Sequence, residues 1–207
     1  MVSIKIKHAI NLHKVLTPFF VLALMHHYNN WGVGMVTYLA LHGTYCVNWM
    51  LKDSLYGDKN WDIARPLGRA LMTFVFVTGY WSAPVFLVRS NKDPSLFTVG
   101  MAISLNILGN MLHYGSDCQK HFTLKVQKGL ITEGFFGLVR HPNYLGEILT
   151  YIGFCSLSMH WLPFAYLLFM FFMVLLPGMM AKEKSLSRYE EFKAYKERVA
   201  FIIPKIL

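Results

Sequence analysis

Residues 161–180 read WLPFAYLLFMFFMVLLPGMM, twenty positions without an Asp, Glu, Lys or Arg. A hydrocarbon core about 30 Å thick takes roughly 20 mostly apolar residues per helix. The run Trp161–Met180 therefore predicts a membrane-spanning helix, with Pro163 in its first turn, where a missing N–H costs least. Working back along the chain, four more long apolar runs follow the same logic: His8–Tyr28 (interrupted by Pro18), Gly32–Met50, Arg69–Val88 and Leu96–Tyr114. A shorter one covers Tyr144–Ser158. None alternates with a period of two. Inside a bilayer the backbone must satisfy itself as a helix or a closed barrel, so these runs predict helices.

The expected fold is an all-α integral membrane protein, a bundle of about six membrane helices with both termini inside. It forms a single membrane domain over 1–207, with 1–94 as N-terminal, substrate-side helices and 95–207 carrying the site. A C-terminal interfacial helix is expected over Ser187–Val199, where Tyr189, Phe192, Tyr195 and Val199 recur at helical spacing.

Composition agrees. Of 207 residues, 55% are hydrophobic and 15% charged, with a mean hydropathy of +0.38. Soluble domains carry about 25% charged residues. The net charge of +9 would raise nucleic-acid binding in a soluble protein. Here the basic residues sit in short loops, so the positive-inside rule accounts for them and no nucleic-acid partner is expected. With the N-terminus inside, the outer loops at 28–32, 89–94 and 158–161 hold only Arg89 and Lys92, leaving 18 of the 20 basic residues inside. The predicted location is a multi-pass membrane protein of an internal membrane such as the endoplasmic reticulum in a eukaryote, or of the inner membrane in a bacterium. Cys46, Cys118 and Cys155 are scattered, which argues against a zinc site or a disulfide framework. His26 to Asn30 follow the first run where a cleavage site would stand, so no cleavable signal peptide is expected.

The most informative stretch is GLITEGFFGLVRHPNYLGEILTY, Gly129 to Tyr151. Pro142 suits the first turn of a helix and holds His141 extended. The free N–H groups of such a helix start favour an anion, phosphate in particular. Asn143, Glu147 and Tyr151 are spaced by four and share a face. A carboxylate one turn into the membrane is a functional hypothesis by default, the bland alternative being an ion pair with Arg140 or another loop cation. A second cluster, His113, Ser116, Asp117, Lys120 and His121, closes the fourth segment as a polar helix end; it lacks the HExxH arrangement, and no metal is expected. A third, Lys182, Glu183, Lys184, Arg188 and Tyr189, follows the last span. Together with Lys120, Lys125, Lys128 and Arg140 it predicts a convergent basic pocket suited to a pyrophosphate. No GxGxxG or Walker motif is present, so a nucleotide site would be of another kind.

Arg140 to Glu147, RHPNYLGE, resembles the RHPNYxGE signature of the steroid 5-alpha-reductase and sterol-reductase family. The similarity reaches upstream to Ser116-Asp117 and Gln119-Lys120, and downstream to Phe192–Pro204. It implies a membrane-embedded reductase using NADPH on an enone-type double bond of a lipophilic substrate. By that resemblance Asn143 and Glu147 border the nicotinamide, and Asp117 lies near the ribose or adenosine. Lys182, Lys184, Arg188 and Tyr189 lie near the phosphates, with Lys120, Arg140, His141 and Tyr144 completing the cofactor-binding set. The family's ketone-polarising Tyr of the second helix and Glu of the first are both missing here: Cys46 to Met50 stands where the Tyr is expected. The proton-bearing candidates are then Glu147, Tyr151 and Tyr45, with Tyr56 as a further substitute.

The isoprenylcysteine and phospholipid methyltransferases share RHPxYxG and use S-adenosylmethionine, which gives an alternative. They typically lack an acid where Glu147 stands, and their Phe-Gly pair is absent between Lys182 and Arg198. A third reading is a non-enzymatic, family-derived subunit taking partner subunits in a larger membrane complex.

Overall fold

A computed structural model describes residues 2–58, 61–90 and 92–205. In chain order the helices are α1 (Ile6–His27), α2 (Val33–Tyr56), α3 (Leu67–Thr78), α4 (Ser82–Arg89), α5 (Leu96–Val126), α6 (Phe135–Leu138), α7 (Pro142–Leu157), α8 (Trp161–Met170), α9 (Leu176–Leu186) and α10 (Phe192–Arg198). Among the described residues, four helical stretches are long and apolar enough to cross a membrane: Ile6–His27, Leu67–Arg89, Leu96–Val126 and Trp161–Leu186. α2 has the length, 24 residues, but carries His42, Asn48 and Lys52. α7 has 16 residues and so spans only about 24 Å. The chain is an all-α, multi-pass integral membrane protein.

It divides into two compact units. The first comprises Met1–Ser104 with Gly153–Tyr166, and the second Leu105–Ile152 with Leu167–Leu207.

In the first unit, α1 runs through Pro18. α2 is capped by Gly32, and the Gly34 N–H in its first turn donates to the Asp93 carboxylate at 2.9 Å, a negative charge at a helix N-terminus. A side chain on Gly32 would collide with that carboxylate, at 2.6 Å from Oδ1. A 3-10 turn at Gly79–Trp81 separates α3 from α4. Two features account for the break. The Tyr166 ring fills the space beside Gly79 while its hydroxyl donates to the Phe76 carbonyl, and Pro84 has no N–H for the carbonyl a turn before it. A short antiparallel pair, β1 (Ser3–Lys5) and β2 (Ala64–Pro66), was not expected from the sequence; three residues a side are too few to show alternation. Lys5 and Lys7 reach Asp62 at 3.2 and 2.8 Å. Hydrogen bonds from Lys7 and then Lys5 hold the Asp62 carboxyl below the usual carboxylate range.

In the second unit, two departures from the sequence reading matter. The fourth segment does not end near Tyr114: α5 continues to Val126, so His113 to His121 lie within a helix and not at its end. Polarity ends a membrane span, but it does not break a backbone ladder. The tail is also not one helix over 187–199. α9 stops at Leu186, a turn follows with Tyr189 N–H bonded to the Leu186 carbonyl, and only Phe192–Arg198 is helical. Phe192, Tyr195 and Val199 are nevertheless buried together against Leu130, Leu186 and Tyr189, so the expected apolar face packs on protein. Between α8 and α9, a π-helical turn at Phe171–Leu175 precedes Pro177, whose missing N–H interrupts the regular ladder.

Candidate functional site

The second unit is held at its centre by two glycines. A Cβ on Gly146 of α7 would run into the Gly109 carbonyl and the His113 backbone of α5, so these helices meet backbone to backbone. That approach lets His113 Nδ1 pair with the Asn143 carbonyl at 3.1 Å. The connection after α5 is pinned by Gln119, which donates to the Glu133 carbonyl and accepts from the Phe135 N–H, both at 3.0 Å. Gly134 lies between them at φ +61°, a left-handed conformation suited to glycine.

α7 begins at Pro142 as the sequence predicts, with the His141 carbonyl accepting from the Leu145 N–H. The two residues before it form a buried polar cluster with Glu183. Arg140 Nε and Nη2 grip the Glu183 carboxylate at 2.9 and 3.2 Å, and Nη1 donates to the Val199 carbonyl. The Arg140 backbone N–H donates to the Ala200 carbonyl at 2.9 Å. His141 Nε2 lies 3.1 Å from the same Glu183 oxygen. Burial pushes the His141 imidazole down to about 4, outweighing the pull of Glu183 toward the charged form. A neutral ring at ordinary pH then donates its Nε2–H to Glu183. Arg140 thus pairs with Glu183; it does not pair with Glu147, the pairing weighed as the bland alternative for that acid. Glu183, read there as one member of a basic stretch, is the acid that organises the cluster, and its signal was its place between Lys182 and Lys184.

Above this cluster opens a cavity of about 230 Å³. Of the residues expected at a cofactor, Lys120, Arg140, His141, Asn143, Lys182, Arg188 and Tyr189 line it, joined by Tyr195, which the sequence reading placed only on the apolar tail face. The Tyr195 hydroxyl donates to the Phe136 carbonyl at 2.8 Å, and burial pushes its phenol up to about 12. Lys182 Nζ stands 4.4 Å over the Tyr144 ring. The Arg188 guanidinium lies 4.9 Å over the Tyr189 ring, donates to its hydroxyl at 3.1 Å, and is exposed. Asp117, Tyr144 and Lys184 are not among the lining residues; Tyr144 stands behind Lys182, and Lys184 is exposed.

The three proton-bearing candidates are not gathered in this cavity. Glu147 is half-buried one turn beyond Asn143, and its carboxylate has no hydrogen-bond or ion-pair partner among the described residues. Tyr151 is buried a further turn along α7, and Tyr45 belongs to the first unit, with Lys14 Nζ 4.1 Å over its ring.

A helical multi-pass membrane protein with a basic hollow at the start of a short RHP-led helix is the class these features define. Residues 7–199 match the family described as "Protein of unknown function (DUF1295)", and the chain belongs to that family. It is similar to a Delta(14)-sterol reductase of Methylotuvimicrobium alcaliphilum, at 25% identity over 142 residues, 58% of this chain and 33% of that protein. It is also similar to the Delta(14)-sterol reductase TM7SF2 of Mus musculus, at 33% identity over 82 residues, 37% of this chain and 19% of that protein. The chain therefore spans a third or less of the length of the relatives it matches. The resemblance first read from Arg140 to Glu147 holds: the chain is a membrane protein similar to sterol reductases.

Proposed function

We propose that the chain is a membrane-embedded, NADPH-dependent reductase of a double bond in a sterol-like lipid. The observation that carries this reading is the basic cavity at the start of α7. Lys120, Lys182 and Arg188 bring three cations to it in addition to the Glu183-paired Arg140. Such a lining suits the phosphates of a dinucleotide. It disfavours S-adenosylmethionine, whose sulfonium and ammonium groups are cations themselves. The Asn143 amide offers both a donor and an acceptor, and Tyr189 a flat face and a hydroxyl. At about 230 Å³ the cavity is smaller than the roughly 300–1,000 Å³ of ordinary ligand pockets, so it takes one end of the dinucleotide.

Bound NADPH supplies a hydride to an electron-poor double bond. The protein's part is position and electrostatics. Lys120, Lys182 and Arg188 neutralise phosphate charge, and Arg140 and His141 fix the start of α7 through Glu183. Glu147 and Tyr151, both on α7 of the second unit, are the proposed groups for holding a proton near substrate oxygen or carbon. The names of the two relatives support a sterol-like substrate.

Titrating the detergent-purified protein with NADPH and, separately, with S-adenosylmethionine tests the reading. Saturable NADPH binding is expected, weakened about tenfold by Arg188→Gln or Lys120→Gln through loss of a charged hydrogen bond. Binding of S-adenosylmethionine alone would transfer the chain to the methyltransferases. No binding of either would favour a non-enzymatic subunit.

A further inference from the structure

We infer that Tyr144 is a positioning residue: from outside the cavity at the start of α7 it holds the Lys182 ammonium where an anion in that cavity would meet it. Its part rests on the phosphate reading of the cavity and concerns how one of the cations there is set in place. Arg140, which lines the same cavity, has its charge matched by Glu183. Lys182 is held in another way, with Nζ over the face of the Tyr144 ring, 4.4 Å from its centre. A ring face attracts an ammonium through its quadrupole and leaves the positive charge uncancelled.

The packing around Tyr144 fixes its ring. Gly178 and Lys182 lie one helical turn apart on α9 and so share a face. A Cβ on Gly178 would stand 2.6 Å from the Tyr144 hydroxyl oxygen and 3.4 Å from the ring carbon that bears it. The tip of the ring therefore sits in the notch that the glycine leaves, and its face reaches Lys182 a turn further along α9. On the other side the His141 ring meets that of Tyr144 nearly at right angles, at 5.9 Å and 77°. His141 is itself held by Glu183 at 3.1 Å. Tyr144 is thus braced between the buried Arg140–His141–Glu183 cluster and α9.

A lysine ammonium rides on a flexible four-carbon stem, so its worth to a ligand depends on how much rotamer freedom binding must still freeze. The Tyr144 ring removes part of that freedom in advance. It does so without touching the ligand, because Tyr144 is not among the lining residues whereas Lys182 is. Its neighbour Asn143 does line the cavity. Two consecutive residues in the first turn of α7 therefore serve the same anion, Asn143 directly and Tyr144 through Lys182. The resemblance read from the sequence counts Tyr144 in the cofactor-binding set, and the geometry gives it this indirect part.

Calorimetric titration of the detergent-purified full chain with NADPH tests it. Tyr144→Leu should weaken binding about threefold to tenfold, the size of a partly buried cation–π contact. Tyr144→Phe keeps the ring face and should bind within about twofold of the wild type. In a Lys182→Gln background Tyr144→Leu should cost nothing further, because the group it positions is gone. Gly178→Ala should weaken binding as Tyr144→Leu does, and adding Tyr144→Phe should restore it, since the hydroxyl removed is the atom the new methyl meets. Unchanged affinity in Tyr144→Leu, an equal loss with and without Lys182, or a Tyr144→Phe as weak as Tyr144→Leu overturns the inference and leaves the nucleotide reading standing. A wild type that binds no NADPH overturns both. If Tyr144→Leu does not fold, Gly178→Ala with and without Tyr144→Phe decides: restored binding supports the inference, and unrestored binding overturns it.

Discussion

Replacing Glu183 with alanine strands the Arg140 guanidinium in a place with little access to water: the two side chains are 8% and 10% exposed. The carboxylate accepts two bonds from Arg140 and sits 3.1 Å from His141 Nε2, so a single truncation removes three interactions and leaves a buried cation without its counter-charge. Breaking a buried pair from one side costs about 3–5 kcal/mol. For a chain of this length that is a drop of roughly 10 °C in melting temperature. The loss should be local at first. Arg140 also holds the Val199 and Ala200 carbonyls, so hydrogen exchange should rise earliest over 192–200. Glu183→Gln, which keeps one acceptor, should lose about half as much. Arg140→Met combined with Glu183→Met should be less destabilised than Glu183→Ala, because no charge is then left buried. Thermal unfolding in detergent, followed by circular dichroism, measures all three. A Glu183→Ala loss under about 1 kcal/mol, or a double variant worse than either single one, would refute the view of this cluster as the clasp of the C-terminal segment.

The His141 shift gives a pH prediction. Its folded pKa of about 4 lies below the ordinary 6.5, so between those values the unfolded chain binds the proton and the folded one does not. Stability should fall as pH drops through that window, by at most about 3 kcal/mol, and His141→Asn should flatten the slope of melting temperature against pH. Gly146→Ala should destabilise by about 1–3 kcal/mol or more, since the added methyl meets backbone of α5 that cannot rotate away. Gly43→Ala, where a Cβ meets nothing within 4 Å, should be neutral or stabilising by up to about 1 kcal/mol in the same melting assay.

Much of this protein was legible before any coordinates. The uncharged run at 161–180, the apolar runs before it and the surplus of loop cations dictate membrane helices, because a bilayer leaves an unpaired backbone no alternative. Pro142 at the first turn of α7 and the apolar spacing of Phe192, Tyr195 and Val199 were also readable, being local. The convergence of Lys120, Arg140, Lys182 and Arg188 on one hollow was expected from sign and position along the chain, whereas Lys125, Lys128 and Lys184, expected with them, do not line it; its size and lining are tertiary facts. Other features depended on long-range packing. Nothing in the chain near Arg140 announces that its fork closes on an acid 43 residues away. Nothing near His13 says that its ring will lie on Trp81 with both nitrogens unsatisfied. Hydropathy and periodicity report what a residue does to its own helix. Which charge meets which, and which polar atom is left without a partner, is decided only when distant helices close over one another and exclude water.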